Sequence, residues 1–394
     1  MKNLNEITNL NDLPFLGDIK AAGGKIYQVG GAVRDQFLNK VSKDLDIVIA
    51  GIPADKLQNI LSKYGKVDMV GASFGVIKFK ATGSSEDIDI AIPRTEKKNN
   101  QGGYQGFDVN ADHTLPIEKD LERRDFTINS IAKDQEGNVI DPFGGVTDLQ
   151  NKVIKVTNPI AFSDDPLRML RAVQFASRFG FTIEPNTFKM IQQNAHTIKE
   201  ISKERILIEF EKIVTKGDPT IGAQLLVSSG LFENIFGSKF IGTFKPFKYV
   251  KKMSEFVFWL IQGFTNKPDD YFKNVMKGDI KATAEIKALN LSNTKIPTNK
   301  LEGRWLIFDL NRIAPSIFDS YFIVNELDEF LPDFNSGNYP ISYKEMQLNG
   351  NDLLTMGFKD QQIGVLLKKA LNGIYADQVK NNRQDLTNYI KNGG

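Results

Sequence analysis

The chain has no cysteine and only two histidines, His113 and His196, among its 394 residues. The first absence excludes disulfides and thiolate metal sites and fits a reducing, cytoplasmic setting. The second excludes a His-Asp metal phosphohydrolase domain. An excess of one charge is also lacking, since 50 Lys and Arg against 48 Asp and Glu leave a net of +2. Any nucleic-acid affinity must therefore come from local patches and not from the overall balance. The longest clear apolar run, Phe256 to Ile261, is far too short to span a bilayer. Asn, Glu and Asp interrupt the N-terminal residues, so no signal-peptide core is expected there. Length allows two to three domains with a sizeable core, and 41% hydrophobic with 25% charged residues is ordinary for a globular protein.

What is present begins with a glycine turn. Tyr27-Gln28-Val29 leans apolar and reads as a strand entering Gly30-Gly31, after which Val33 to Leu38 opens a helix. Glycines there let backbone N–H groups approach an anion closely, and the helix adds its positive end. Asp44 and Asp46 follow in Asp44-Leu45-Asp46-Ile47-Val48-Ile49, which alternates and then runs apolar as a buried strand would. At period two both carboxylates leave one face of the strand. Side by side they repel unless a cation neutralises them, and hard oxygens beside a phosphate-binding turn suit Mg²⁺. Singly, each half reads as a plain turn or a solvent-facing acid pair.

Together and in this order, they resemble the nucleotidyltransferase signature of the DNA polymerase β superfamily. Farther along, Arg123-Arg124-Asp125-Phe126-Thr127-Ile128-Asn129-Ser130 resembles the second motif of the class II (bacterial-type) tRNA nucleotidyltransferase and poly(A) polymerase family. Asp141 to Leu149 is similar to its third motif, Asp164 to Ala172 to its fourth, and Ser202 to Ile206 with Glu209 and Lys212 to its fifth. Five ordered motifs between Gly30 and Lys212 make a specific signal. A fainter similarity covers Asn349 to Leu354, Gly357, Ile363-Gly364 and Leu366.

The pattern of strand-like and helix-like segments changes to helical periodicity after Asn158. The expected architecture is an α/β head of polymerase-β type over 1–153, then all-α neck (154–214), body (215–335) and tail (336–394) domains, as the resemblance implies. Thr95 to His113, rich in Lys, Asn, Gln and Gly, reads as a long mobile loop.

By resemblance, the activity is CCA-adding nucleotidyl transfer to the tRNA 3′ end from CTP and ATP, with two Mg²⁺ ions and no membrane involvement. Asp44 and Asp46 are the expected metal ligands. Asp89, in the strand Ile88-Asp89-Ile90-Ala91, is the candidate third carboxylate. Gly30, Gly31, Arg34, Arg123 and Arg124 are expected at the triphosphate, because guanidinium forks bind phosphate oxygens in pairs. Asp125 is the expected acceptor for a 2′-hydroxyl, Asn129 supports the site, and Arg171 belongs to the nucleotide-binding set.

Asp165 and Arg168, at i and i+3 on a starting helix, carry the base-selection hypothesis. One acceptor beside one donor complements the amino group and ring nitrogen of cytosine or adenine. Guanine and uracil present the reverse order and leave buried groups unpaired. A helix-capping ion pair is the competing reading. Family members usually carry Glu-Asp where this chain has Asp164-Asp165, so Asp164 supports Arg168 with one methylene less.

Alternatives are a poly(A) polymerase, a CC-adding or A-adding specialist, and an RNA-binding protein on a degenerate nucleotidyltransferase fold. Val70 to Val76 resembles the CCA-adding version of its segment, the long loop argues against CC-only addition, and no motif residue is missing.

Overall fold

The computed structural model describes residues 10–40, 45–69, 75–84, 87–98, 107–294, 297–314 and 338–393. Asp44 and most of the Val70 to Val76 segment, both singled out above, lie outside them. The chain divides into two compact units, Met1–Ser238 and Lys239–Gly394.

The first unit is built on strands β1 (Lys25–Val29), β2 (Ile47–Ala50), β3 (Gly65–Met69), β4 (Val76–Ala81), β5 (Ile88–Ala91), β6 (Arg94–Lys98), β7 (Phe107–Ala111), β8 (Ala132–Asp134) and β9 (Val139–Ile140). Seven of them form a mixed sheet in the order β3-β4-β5-β2-β1-β8-β9. Only β2 and β5 pair in parallel. Strand alternation sorts the sheet into two faces. Ile26, Ile47, Ile49, Ile77, Phe79 and Ile90 pack with Ile19 of helix α1 (Leu16–Ala21) and with Leu57 and Leu61 of α3 (Ala54–Leu61). Tyr27, Val29, Val48 and Ala132 pack on the other face with Ile117 and Leu121 of α4 (Ile117–Glu122). Covered on both sides, β2 is buried throughout, which is why its sequence runs apolar. Each such large side chain contributes about 1.5–3 kcal/mol by leaving water.

Between β1 and β2 lies α2 (Gly31–Phe37), entered directly from the glycine turn. Asp141 accepts hydrogen bonds from Gly145 N (2.7 Å) and Val146 N (2.9 Å), so it caps α5 (Gly145–Gln150). Helices α6 (Ala161–Asp164), α7 (Leu167–Phe179), α8 (Pro185–Asn194), α9 (Lys203–Lys216), α10 (Pro219–Ser228) and α11 (Leu231–Phe236) follow. They are joined by a short parallel pairing of Val153–Ile154 with Thr182–Ile183, so the expected neck is helical but for this pair.

The expected loop Thr95 to His113 is different in kind. Its ends form a hairpin, with β6 and β7 antiparallel in the register Arg94↔Ala111 to Lys98↔Phe107. Polar composition concealed strands whose pairing, rather than burial, gives them order. Residues 99–106 lie outside the described set.

The second unit is helical: α12 (Met253–Ile261), α13 (Pro268–Asn274), α14 (Ile280–Thr294), α15 (Lys300–Ile313), α16 (Gly350–Thr355), α17 (Asp360–Tyr375) and α18 (Arg383–Lys391). The apolar run of α12 is buried from Ser254 to Ile261. Asn299, Asn349 and Asn382 cap α15, α16 and α18 through their side-chain oxygens, as short amides at helix starts do. Upstream, the 3-10 turn Lys245–Tyr249 buries Phe247 while Lys245 and Lys248 are exposed, so its lysines form a wet face. Among the described residues no helix is long and apolar enough to cross a membrane.

Candidate active site

A cavity of about 460 Å³ in the first unit gathers residues from the glycine turn and α2, the segment after α4, α7 and α9. Gly30 has φ +66°, and a Cβ there would lie 2.6 Å from Arg124 Nη1. Glycine is thus required both for the backbone conformation and for the arginine's approach. Asp46 lines the cavity just ahead of β2.

A chain of charged groups crosses the floor. Arg34, almost fully buried, donates from Nη1 to Asn129 Oδ1 (2.6 Å) and from Nε to Asp35 (2.9 Å). Asn129 Nδ2 donates to Asp125 Oδ1 (2.8 Å). Asp125 Oδ2 accepts from Arg171 Nε (2.8 Å) and faces its Nη2 at 2.7 Å. Arg171 Nη1 stands 3.9 Å from Glu209, which accepts from Lys212 at 2.7 Å. Burial pushes the Asp125 carboxyl up, but Arg171 and Asn129 outweigh it and hold the group below the usual carboxylate range. Arg171 is likewise disfavoured by burial, and Asp125 with Glu209 keeps it firmly charged. Asp125 also accepts from Phe126 N (2.8 Å). Four donors occupy its oxygens, about the capacity of a carboxylate. Asp125, the residue expected to accept from a 2′-hydroxyl, here braces Arg171 and Asn129.

Aromatic rings brace the same arginine. The Arg34 guanidinium lies 5.4 Å from the Phe175 centroid and 4.9 Å from that of Phe179, two parallel rings 5.8 Å apart on α7.

Asp165 and Arg168 both face the cavity. Arg168 N donates to the Asp165 carbonyl (3.0 Å), but their side chains bond elsewhere than to one another. Asp165 Oδ1 accepts from Leu167 N (3.1 Å) and Oδ2 from Arg205 Nη2 (3.0 Å). Arg168 Nη2 donates to the Arg123 carbonyl (2.8 Å). Spacing at i and i+3 predicts proximity, yet the extended backbone at Asp165, where α6 ends, turns its carboxylate toward α9.

The cavity thus brings together Gly30, Gly31, Arg34, Asp46, Arg123, Arg124, Asp125, Asn129, Asp165, Arg168 and Arg171. Asp164 instead lines an adjoining recess of about 120 Å³ that shares Arg123 and Arg168. Asp89 is not in the lining. Its carboxylate is half-exposed and 4.0 Å from Lys78 Nζ, its cross-strand neighbour. In the parallel register Ile47↔Ile90, Asp46 and Asp89 nevertheless each come one residue before the pair, Asp46 just ahead of β2 and Asp89 within β5. Among the described residues no three acidic or histidine side chains converge for a metal. Two oxygen donors at neighbouring positions on one sheet face do match the preference of a hard divalent cation.

Sequence reasoning missed Phe175, Phe179 and Arg178, and gave no role to Arg205 or to Asp120. Asp120, fully buried in α4, accepts from Arg123 Nε (3.0 Å) and Arg124 Nη2 (3.1 Å). Its spacing of three and four residues from the two arginines is a helical signal that was there to be read.

Residues 26–155 match the family described as the poly A polymerase head domain, and residues 180–239 match the probable RNA and SrmB- binding site of polymerase A. A protein of Ligilactobacillus salivarius named CCA-adding enzyme is 31% identical over 403 residues, covering 96% of this chain and 95% of that one. The chain belongs to the CCA-adding enzyme family. A multifunctional CCA protein of Xylella fastidiosa is 43% identical over 201 residues, covering 50% of this chain and 46% of that protein. The chain thus spans about half the length of several curated relatives it matches. Among solved structures, the Bacillus stearothermophilus CCA-adding enzyme in complex with CTP superposes with a TM-score of 0.72 at 24% identity, covering 96% and 95% of the two chains. The Thermotoga maritima CCA-adding enzyme complexed with tRNA gives 0.72 at 21% identity, covering 95% and 93%. These likenesses establish the family's fold, a polymerase-β-like head with a mixed sheet and a largely helical remainder.

Proposed function

We propose that this chain is a CCA-adding tRNA nucleotidyltransferase, building or repairing the 3′-terminal CCA of tRNA from CTP and ATP without a nucleic-acid template. One observation carries the reading: a single cavity sets the Gly30-Gly31 turn and Asp46 against seven arginines, with Asp165 and Arg168 among its lining. Charge of that sign and density suits a triphosphate, while one acceptor and one donor suit the shared edge of cytosine and adenine.

In the reaction, a 3′-hydroxyl oxygen forms a bond to the α-phosphorus and the bond to pyrophosphate breaks. Two Mg²⁺ ions, held by Asp44 and Asp46 with Asp89 as a third carboxylate, would neutralise charge and acidify the hydroxyl. Gly30, Gly31, Arg34 and Arg124 hold the triphosphate, and Asn129 and Asp125 keep Arg34 and Arg171 in place. Asp165 accepts from the base amino group and Arg168 donates to the ring nitrogen, with Asp164 beside Arg168. Guanine and uracil leave this pair unmatched, a mismatch able to reject a base by orders of magnitude. Head, neck, body and tail over 1–153, 154–214, 215–335 and 336–394 complete the reading, with the tail meeting tRNA in the cytoplasm.

The test is to incubate the protein with Mg²⁺, tRNA lacking its 3′ end, and each nucleotide singly and mixed, then to sequence the products. CCA followed by a stop is expected. A ladder of adenosines identifies a poly(A) polymerase, cytidines or adenosine alone a specialist, and no addition an RNA-binding protein.

A further inference from the structure

We infer that Asp120 divides the work of the two adjacent arginines, fixing Arg123 as a support and leaving Arg124 as the guanidinium that meets the triphosphate. The inference rests on the nucleotidyl-transfer reading above and sharpens it, because sequence reasoning treats the two arginines alike.

The geometry distinguishes them atom by atom. Asp120 Oδ1 takes both Nε (3.0 Å) and Nη2 (2.9 Å) of Arg123, and Arg123 Nη1 donates to Glu96 Oε1 of β6 (2.8 Å). Every side-chain nitrogen of Arg123 therefore faces a carboxylate. Glu96 also accepts from Arg94 Nε at 3.1 Å, which ties this cluster to the hairpin. Among the described residues Arg124 donates from Nη2 to Asp120 Oδ2 at 3.1 Å. Its Nη1 stands beside Gly30, where a Cβ would come within 2.6 Å. Its buried Nε has no hydrogen-bond partner among the described residues. Donors left over on a charged group next to a glycine turn are the equipment for an anion.

Two neighbouring guanidinium groups repel each other, and one buried carboxylate between them lets both stay. Burial disfavours the Asp120 anion, but Arg123 and Arg124 outweigh that and hold its pKa below the usual range. Arg123 in turn accepts Arg168 Nη2 on its carbonyl. Asp120 thus orients Arg124 directly and steadies the footing of Arg168 through Arg123. It touches no substrate in this scheme and is a positioning residue.

The experiment compares equilibrium binding of CTP and CMP, which differ in the β- and γ-phosphates, to wild type, R124K, R123K and D120N, with thermal unfolding of each. R124K keeps the charge and loses the fork, so CTP affinity should fall about tenfold, the scale of one charge-assisted hydrogen bond. CMP affinity should change by less than about twofold, since the lost contact is to phosphates that CMP lacks. D120N should reproduce the R124K loss in the CTP-to-CMP ratio, while R123K should keep the wild-type ratio. Equal loss in R123K and R124K overturns the division of labour. A lower melting temperature in D120N with a wild-type ratio overturns the positioning role and leaves Asp120 a stabilising ion pair. If D120N does not fold, R123K against R124K decides alone. A wild type that binds neither CTP nor ATP overturns the underlying reading, whereas one that binds CTP with equal lysine variants overturns only this inference.

Discussion

Two cavities contrast within this chain. The larger, a groove of about 990 Å³ in the second unit, is lined by five asparagines, Gln378, two tyrosines and one lysine, Lys380, among others. The smaller, about 460 Å³ in the first unit, holds seven arginines and three aspartates. In the larger groove several amides are spent on the fold: Asn382 caps α18, and Asn381 joins Gln347 N to the Glu345 carbonyl. In the smaller cavity, buried charges hold one another at fixed angles while leaving donors such as Arg124 Nε over. Size alone would choose the wrong place. Charge held in place at a cost in desolvation is the better sign of chemistry.

Breaking the first cavity should show function and stability separating. The largest effect is expected from Asp46→Ala, with nucleotide addition reduced on the order of a thousandfold or more, the weight of several kcal/mol in the transition state. Its melting temperature should stay near wild type, and primer-extension rates with thermal unfolding check both. Lys380→Ala in the larger groove should leave CTP binding unchanged, and a loss there would reverse the comparison.

Next in size is Asp125→Asn, which leaves Arg171 without its closest carboxylate and should cost about 3 kcal/mol of stability. Asn388→Ala, on the exposed wall of the larger groove, should stay within about 0.5 kcal/mol. Urea unfolding of the two variants measures the difference. The same contrast has a pH signature. Because the folded Asp125 pKa is depressed, its contribution is complete above the unfolded value of about 3.9 and is lost as pH falls through the lower folded value. In acid, stability of Asp125→Asn should therefore fall less steeply than that of wild type.

A smaller change is expected from Arg205→Ala, which frees the Asp165 carboxylate from α9. Discrimination of CTP against UTP in competition assays should drop about tenfold, while the melting temperature moves little. Unaltered selectivity would place base choice away from Asp165. The smallest is Phe179→Leu, which removes one ring from the Arg34 stack and should cost about 1 kcal/mol, seen as a slight drop in melting temperature.

Much of this was legible along the chain because its causes are local. Alternation marked β2 and β5, and glycines marked the turn at Gly30. The hairpin at β6 and β7 was not legible, since polar strands that pair only with each other carry no apolar period. Asp120 was overlooked although its helical spacing announced it. Nothing in the sequence says that Arg34 from α2 lies against Phe175 and Phe179 of α7.

What the sequence by itself determined is the order of motifs, the identity of the charged groups and the helix and strand periods, because these depend on neighbours a few residues away. Only the tertiary structure decided which charge answers which. The Asp165 carboxylate meets Arg205 across 40 positions instead of the Arg168 guanidinium three away, Asp125 meets Arg171 across 46, and Arg34 reaches Asn129 across 95. Coulomb energy and hydrogen bonding depend on distance and angle in space, so the partners of a buried charge are settled when the layers pack.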